Sequence, residues 1–191
     1  MTAKGSTMQQ LNAIAHIYTD FPTKFGIPRQ SGLVPGLRAA VVFEEEYRNS
    51  DALRGMELYS HIWLIWGFSE VQQQKWTPTV RPPRLGGNKR MGVVATRSHY
   101  RADPIGLSCV GVDDIHLHTP SGPVIYVRGA DLMNGTPIYD IKPYLAFTDS
   151  RPDATGGLSD ASQPVLKVHI ADEMLARVKH EHRDTLLQLL G

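Results

Sequence analysis

The stretch HIWLIWGF, His61 to Phe68, is the most apolar window of the sequence, and its reading decides the fold. It is short for a buried helix. Its aromatic and β-branched side chains suit a pleated surface packed on both sides, so it reads as a buried central strand. His61 stands at its mouth, either as the polar end of a strand or as a functional group.

Working outward, strand-like runs recur between turns rich in Gly and Pro. Upstream lie Leu11 to Tyr18 (LNAIAHIY) and Leu37 to Phe43 (LRAAVVF). Downstream lie Met91 to Thr96 (MGVVAT), Ile105 to Val112, Pro123 to Val127 (PVIYV) and Pro164 to Ile170 (PVLKVHI). The regular alternation of strands and helices that a doubly wound nucleotide-binding fold needs is absent. Many short strands with turn signals between them predict a mainly β domain, plausibly a barrel. Helical spacing is confined to Ala52, Met56 and Tyr59 in the acidic EEEYRNSDALRGMELY, and to a terminal helix. The helix rests on Ala171, Met174, Leu175, Val178, Leu186, Leu187 and Leu190, with Asp172 and Glu173 near its positive start.

The chain has 191 residues, of which 41% are hydrophobic, enough for one domain with a core and an appendage. Residues 1–10 read as a loose start, 11–155 as the main domain, and 156–191 as linker, strand and helix. Twenty Lys and Arg against 19 Asp and Glu point to no partner by global charge. Locally, Val71 to Ala102 contains no acid and seven cations: Lys75, Arg81, Arg84, Lys89, Arg90, Arg97 and Arg101. Such a segment is either an anion-binding surface, as for a nucleic acid backbone, or a solvated loop. The single Cys109 excludes an intrachain disulfide, and its apolar neighbours suit a small buried side chain more than a nucleophile. No apolar run reaches membrane-spanning length and the N-terminus lacks a secretory core, so a soluble, cytoplasmic protein is expected.

Three polar stretches remain. FPTKFGIPRQSGLVPG is too rich in Pro and Gly for a regular element, yet Phe21, Phe25 and Ile27 predict that contacts hold it. Pro28-Arg29-Gln30 is then a loop placed to offer polar groups to a ligand. His116 and His118 share a strand face but do not fill a metal shell, so no metal site is expected. DLMNGTPIYDIKPY, Asp131 to Tyr144, joins a tight Asn134-Gly135 turn to two prolines, and reads as a shaped rim and not a core element.

FGIPRQSGL, RGMELYSHIWLIWGF, WTPTVRPPRLGGNKRMGVVATRSHYRADPIGLS and DLMNGTPIYDIKPY, in this order and spacing, closely resemble the TsaA-like family. Its characterised bacterial members are S-adenosylmethionine-dependent tRNA methyltransferases. The resemblance implies a single-sheet β-barrel methyltransferase with a C-terminal helix, working as a homodimer that holds the methyl donor near its interface. It further implies methylation of N6 of threonylcarbamoyl-adenosine beside the anticodon of a threonine tRNA. Carried over by motif, Pro28, Arg29, Gln30, His61, Ile62, Arg97, Leu107, Asp131, Leu132, Met133 and Asn134 would line the donor pocket. Asp140 and Tyr144 are candidates for the base that N6 requires, with Lys142 holding a phosphate or developing charge. A structural role for DIKPY, with Lys142 and Asp140 merely paired, is the alternative. A non-catalytic S-adenosylmethionine-binding module is the rival reading of the whole chain.

Two departures from the family pattern bear on function. Arg101-Ala102-Asp103-Pro104 replaces the usual RPNP, which puts a contact at Asp103 in doubt. The relatives also continue past the terminal helix into another small domain, whereas this sequence ends at Gly191. A chain without that part is expected to bind the donor yet methylate poorly if the extension grips tRNA.

Overall fold

The computed structural model describes residues 10–70, 76–82, 87–157 and 167–190. Its centre is a closed antiparallel barrel built from β1 (Ala15–Tyr18), β2 (Arg38–Phe43), β3 (His61–Gly67), β6 (Ile105–Thr119), β7 (Gly122–Arg128) and β8 (Thr136–Pro143), ordered β1-β2-β7-β6-β3-β8 with β8 pairing back onto β1. A small ribbon of β4 (Thr79–Val80) and β5 (Met91–Gly92) stands apart. Closure leaves the six barrel strands no unpaired sheet edge to protect.

HIWLIWGF forms the central strand its composition predicts. Along β3, Ile62, Leu64 and Trp66 point into the barrel, while Trp63 and Ile65 are half-buried on its outer wall. The inward side chains of the other strands, among them Ile17, Val41, Val110, Ile125, Val127 and Ile138, complete one core. Leucine or isoleucine buried to this degree contributes about 1.5–3 kcal/mol each.

Several elements differ from their sequence reading, each for a local reason. Ile105 to Val112 does not end at the Asp113-Asp114 pair. The strand runs on to Thr119 because bulges at Val112/Asp114 and His116/Thr119 absorb the extra residues opposite β7. DLMNGTPIYDIKPY is not only rim: its second half is a barrel stave with Ile138 fully buried, and both prolines are accommodated within β8. The acidic segment forms three short 3₁₀ turns, Glu45–Tyr47, Ser50–Leu53 and Met56–Leu58, and not a helix. Asn49 restarts the chain by accepting from the Asp51 N–H, and Gly55 at φ 88° breaks it again. Only Met91 and Gly92 of MGVVAT are strand, since Thr96 Oγ1 donates to the Val93 carbonyl and closes a 3₁₀ turn over Val93–Ala95.

A four-residue helix, α1 (Ala146–Asp149), follows the barrel. The terminal helix is divided into α2 (Asp172–Leu175) and α3 (His180–Leu190), with Arg183 donating to the Val178 carbonyl at the join. Of the strand read at Pro164 to Ile170, Lys167 to Ile170 carry no strand pairing and the rest lies outside the described residues, as do residues 1–9 of the N-terminus, Lys75 and Arg84.

Candidate functional site at the barrel mouth

The Pro- and Gly-rich loop between β1 and β2 is held by contacts. Its turn at Thr19 to Phe21 is clasped by Asn134, whose side chain accepts from the Thr19 N–H at 3.0 Å and whose N–H donates to the Phe21 carbonyl at 2.8 Å. Farther on, the Gly32 N–H donates to the Gly129 carbonyl at 2.8 Å. The Asn134-Gly135 turn, with Gly135 at φ 76°, is thus the anchor of the loop that carries Pro28, Arg29 and Gln30.

Between this loop, the end of β3 and the start of β6 opens a cleft of about 620 Å³. That is the size of a small-molecule site. Pro28, Arg29, Gln30, Arg97, Leu107, Asp131 and Met133 all line it. Arg97 also donates from Nη1 to Gln30 Oε1, tying the two basic loops together. Its lining carries Lys24, Arg29, Arg97 and Arg101 against Glu70 and Asp131, so the cleft is positive on balance.

The deep end is built by a hydrogen-bonded series. Trp66 Nε1 donates to Ser108 Oγ at 3.0 Å, and the Ser108 hydroxyl donates to Asp131 Oδ1 at 2.6 Å. Ser108 is 1% exposed, and no side chain polar atom buried among the described residues lacks a partner. Burial pushes the Asp131 carboxyl above its usual range. The Ser108 hydroxyl, the backbone N–H groups of Asp131 and Ser31, and the Arg97 charge pull the other way. The aromatic side consists of Trp66, Phe68 and His99, whose pKa is lowered by burial first and by nearby Lys24 second.

The remaining expected donor residues lie elsewhere. Ile62 and Leu132 are core side chains, 0% and 1% exposed. His61 occupies the opposite end of β3 from Trp66, roughly 17 Å along the strand, where Ser60 Oγ meets its Nδ1 at 3.0 Å. Asp140, Lys142 and Tyr144 are outside the cleft lining. Asp140 and Lys142 sit opposite Ile65 and Trp63 on the outer wall and pair at 2.8 Å, Lys142 Nζ to Asp140 Oδ2. The Tyr144 ring leans on Trp63 at 5.8 Å and on His61 at 6.3 Å.

The cleft residues that sequence reading passed over include Lys24, Trp66, Phe68, Ser69, Glu70 and His99, with Ser108 behind them, while Arg101 enters the lining from the basic segment. The signal for Trp66 and Phe68 was present in HIWLIWGF, whose far end faces the cleft. Asp103 does not line it, whereas Arg101 does. In the basic segment, Arg81 and Arg90 are brought together across the β4–β5 ribbon. Cys109 is half-buried with its thiol pKa raised by burial and by Asp149, as an inert cysteine would be. Among the described residues no three His, Cys, Asp or Glu side chains gather as metal ligands, and no helix is long and apolar enough to cross a membrane.

Fold and site together define a closed β-barrel with a charged, aromatic-sided small-molecule cleft at one mouth, a class distinct from the doubly wound nucleotide binders. Residues 16–150 match the family model described as tRNA-methyltransferase O N-terminal domain, and the chain belongs to that family. It is 42% identical over 153 residues to the tRNA (adenine(37)-N6)-methyltransferase of Escherichia coli (strain K12), spanning 80% of this chain and 65% of that protein. It is 39% identical over 178 residues to a protein of Pseudomonas aeruginosa named putative S-adenosylmethionine-dependent methyltransferase RcsF, spanning 93% and 72%. The crystal structure of TrmO from Pseudomonas aeruginosa superposes with a TM-score of 0.75 at 29% identity, covering 96% of this chain and 81% of that one.

Proposed function

We propose that this chain is an S-adenosylmethionine-dependent tRNA methyltransferase that modifies N6 of an adenosine. The observation that carries the reading is the cleft itself. It gathers cations, one partly buried carboxylate and an aromatic wall within the region that matches the family. S-adenosylmethionine, whose sulfonium supplies an activated methyl group, presents a carboxylate, an ammonium and an adenine. Arg29 and Arg97 suit the carboxylate, Asp131 suits the ammonium, and Leu107 with the aromatic side suits the ring. By holding the acceptor nitrogen in line with the methyl group, the cleft would supply much of the acceleration through orientation.

The finer reading is that the acceptor is threonylcarbamoyl-adenosine next to the anticodon of threonine tRNA, and that the protein acts as a cytoplasmic homodimer. Support comes from the motifs shared with the family and from relatives named for adenine 37. The basic side chains around the cleft suit an RNA backbone. Removing the N6 proton requires a base, and Asp140, Lys142 and Tyr144 do not reach the cleft of their own copy. In a homodimer they would act on the neighbour's cleft. Mixing Asp140→Ala with Asp131→Ala chains should then restore activity that neither variant has alone.

The proposal is tested by incubating the protein with radiolabelled donor and threonine tRNA, with and without the threonylcarbamoyl group. Label entering only the modified tRNA supports the full reading, and label entering neither opposes catalysis. A donor-binding module without turnover is the second reading. Its support is the absence of the three base candidates from the cleft, together with a 29% identical protein of Methanothermobacter thermautotrophicus named probable S-adenosyl-L-methionine-binding protein.

A further inference from the structure

The aromatic side of the cleft continues outward as a ladder. Trp66 and Phe68 have ring centroids 4.4 Å apart, Phe68 and His99 5.6 Å, and His99 and Tyr100 4.2 Å, with interplanar angles of 55°, 49° and 40°. Trp66 is buried at the barrel mouth, whereas Tyr100 at the outer end is 45% exposed. The outer rungs are held by their loop: Arg101 Nη1 donates to the Val93 and Thr96 carbonyls, and the Tyr100 N–H donates to Ser98 Oγ at 3.2 Å. Exposed Tyr100 is thus presented by backbone-directed bonds, its ring in contact with His99 at a 40° tilt. A loop backbone held in this way presents an exposed aromatic ring in a set position, as a pre-organised stacking surface requires.

We propose that Tyr100, backed by His99, is the stacking platform for the acceptor nucleobase of the RNA, while the Trp66–Ser108–Asp131 end receives the methyl donor. The inference rests on the methyltransferase reading above. An enzyme that reacts at a base must turn it out of its stack and hold it, and aromatic faces do this for any base. The donor also carries an adenine, but a small molecule can enter to the buried end, whereas a base tethered to a polynucleotide reaches the exposed end first. Lys24 and Arg29 flank the same mouth and suit the adjoining phosphates. Burial first and Lys24 second lower the His99 pKa, which favours the uncharged ring beside Tyr100.

The test compares Tyr100→Leu and Tyr100→Phe in the full chain. Donor affinity is read by calorimetry, and affinity for an anticodon stem-loop carrying threonylcarbamoyl-adenosine by fluorescence anisotropy. Tyr100→Leu should weaken RNA binding by roughly ten- to hundredfold, the loss expected for one base–aromatic stack. Donor affinity and the melting temperature should stay unchanged, and Tyr100→Phe should bind like the unsubstituted chain. RNA affinity indifferent to Tyr100→Leu overturns the platform and leaves the methyltransferase reading standing. A parallel fall in donor affinity also overturns it, by assigning the ring to the donor's adenine. A stem-loop that the unsubstituted chain does not bind overturns the platform as well, and the methylation assay above decides the reading on which it rests.

Discussion

At the scale of single residues, the site turns on Ser108, whose hydroxyl joins the Trp66 ring to the Asp131 carboxylate inside the barrel mouth. Ser108→Ala takes from the buried Trp66 Nε1 its hydrogen-bond partner and from the Asp131 carboxylate one of several donors, and should cost about 1–3 kcal/mol of stability, measured by denaturant unfolding. Nothing in the sequence marks Ser108. It lies in the apolar run LSCV, and its role comes from the folding of β6 against β3 and the β7–β8 turn. Asp131, by contrast, was legible through the motif in which it sits. Its folded pKa is raised, so its protonated form stabilises the fold. That contribution is fully present below the unfolded carboxylate value, about 3.9, and is lost as pH rises through the folded one. Asp131→Asn keeps an acceptor for Ser108 and should match the unsubstituted protein in acid and exceed its melting temperature at neutral pH. Melting curves across that range check the sign. Asp131→Ala should weaken donor binding by at least about tenfold, as loss of a charged hydrogen bond does, read by calorimetry.

At the scale of elements, β3 and β6 place the cleft, and their register leaves room for only a hydrogen at one point. Trp66 faces Gly106, and a Cβ at Gly106 would come within 2.2 Å of Trp66 Cε2. Gly106→Ala should therefore displace the indole from Ser108 and destabilise the barrel by about 1–3 kcal/mol. A quenched or shifted tryptophan emission, together with weaker donor binding, would report the displacement. Strands were legible wherever apolar groups alternate, as in β3, β2 and β7. The misread elements were those where a local hydrogen bond or bulge overrides periodicity. Asn49 and Gly55 convert a helical spacing into separate turns, and the β6 bulges carry a strand through a pair of aspartates. The Asp140–Lys142 ion pair is the pairing that the structural reading of DIKPY expects. Its carboxylate and amine were predicted from the sequence, but the wall on which they stand is set by the register of β8 against β3.

At the scale of the whole molecule, α3 packs against the loop that leads from the cleft into β2. A Cβ at Gly36 would approach Thr185 Oγ1 to 2.2 Å. Gly36→Val should loosen α3 while leaving the barrel folded, and faster proteolysis within residues 180–190 would record it. The barrel architecture was readable from the sequence because closure needs only short alternating strands and turns. The cleft was readable in part, where the Pro28-Arg29-Gln30 loop and Asp131 converge, but not its aromatic side, which unites residues far apart in the chain. The central claim is that this cleft directs methyl transfer to N6 of a tRNA adenosine. The most direct measurement is mass spectrometry of nucleosides from threonine tRNA treated with donor and either the unsubstituted chain or Asp131→Ala. The expected result is a methyl group on N6 of threonylcarbamoyl-adenosine that disappears with the variant. Donor binding without any methylated nucleoside, or methylation that survives Asp131→Ala undiminished, would contradict it.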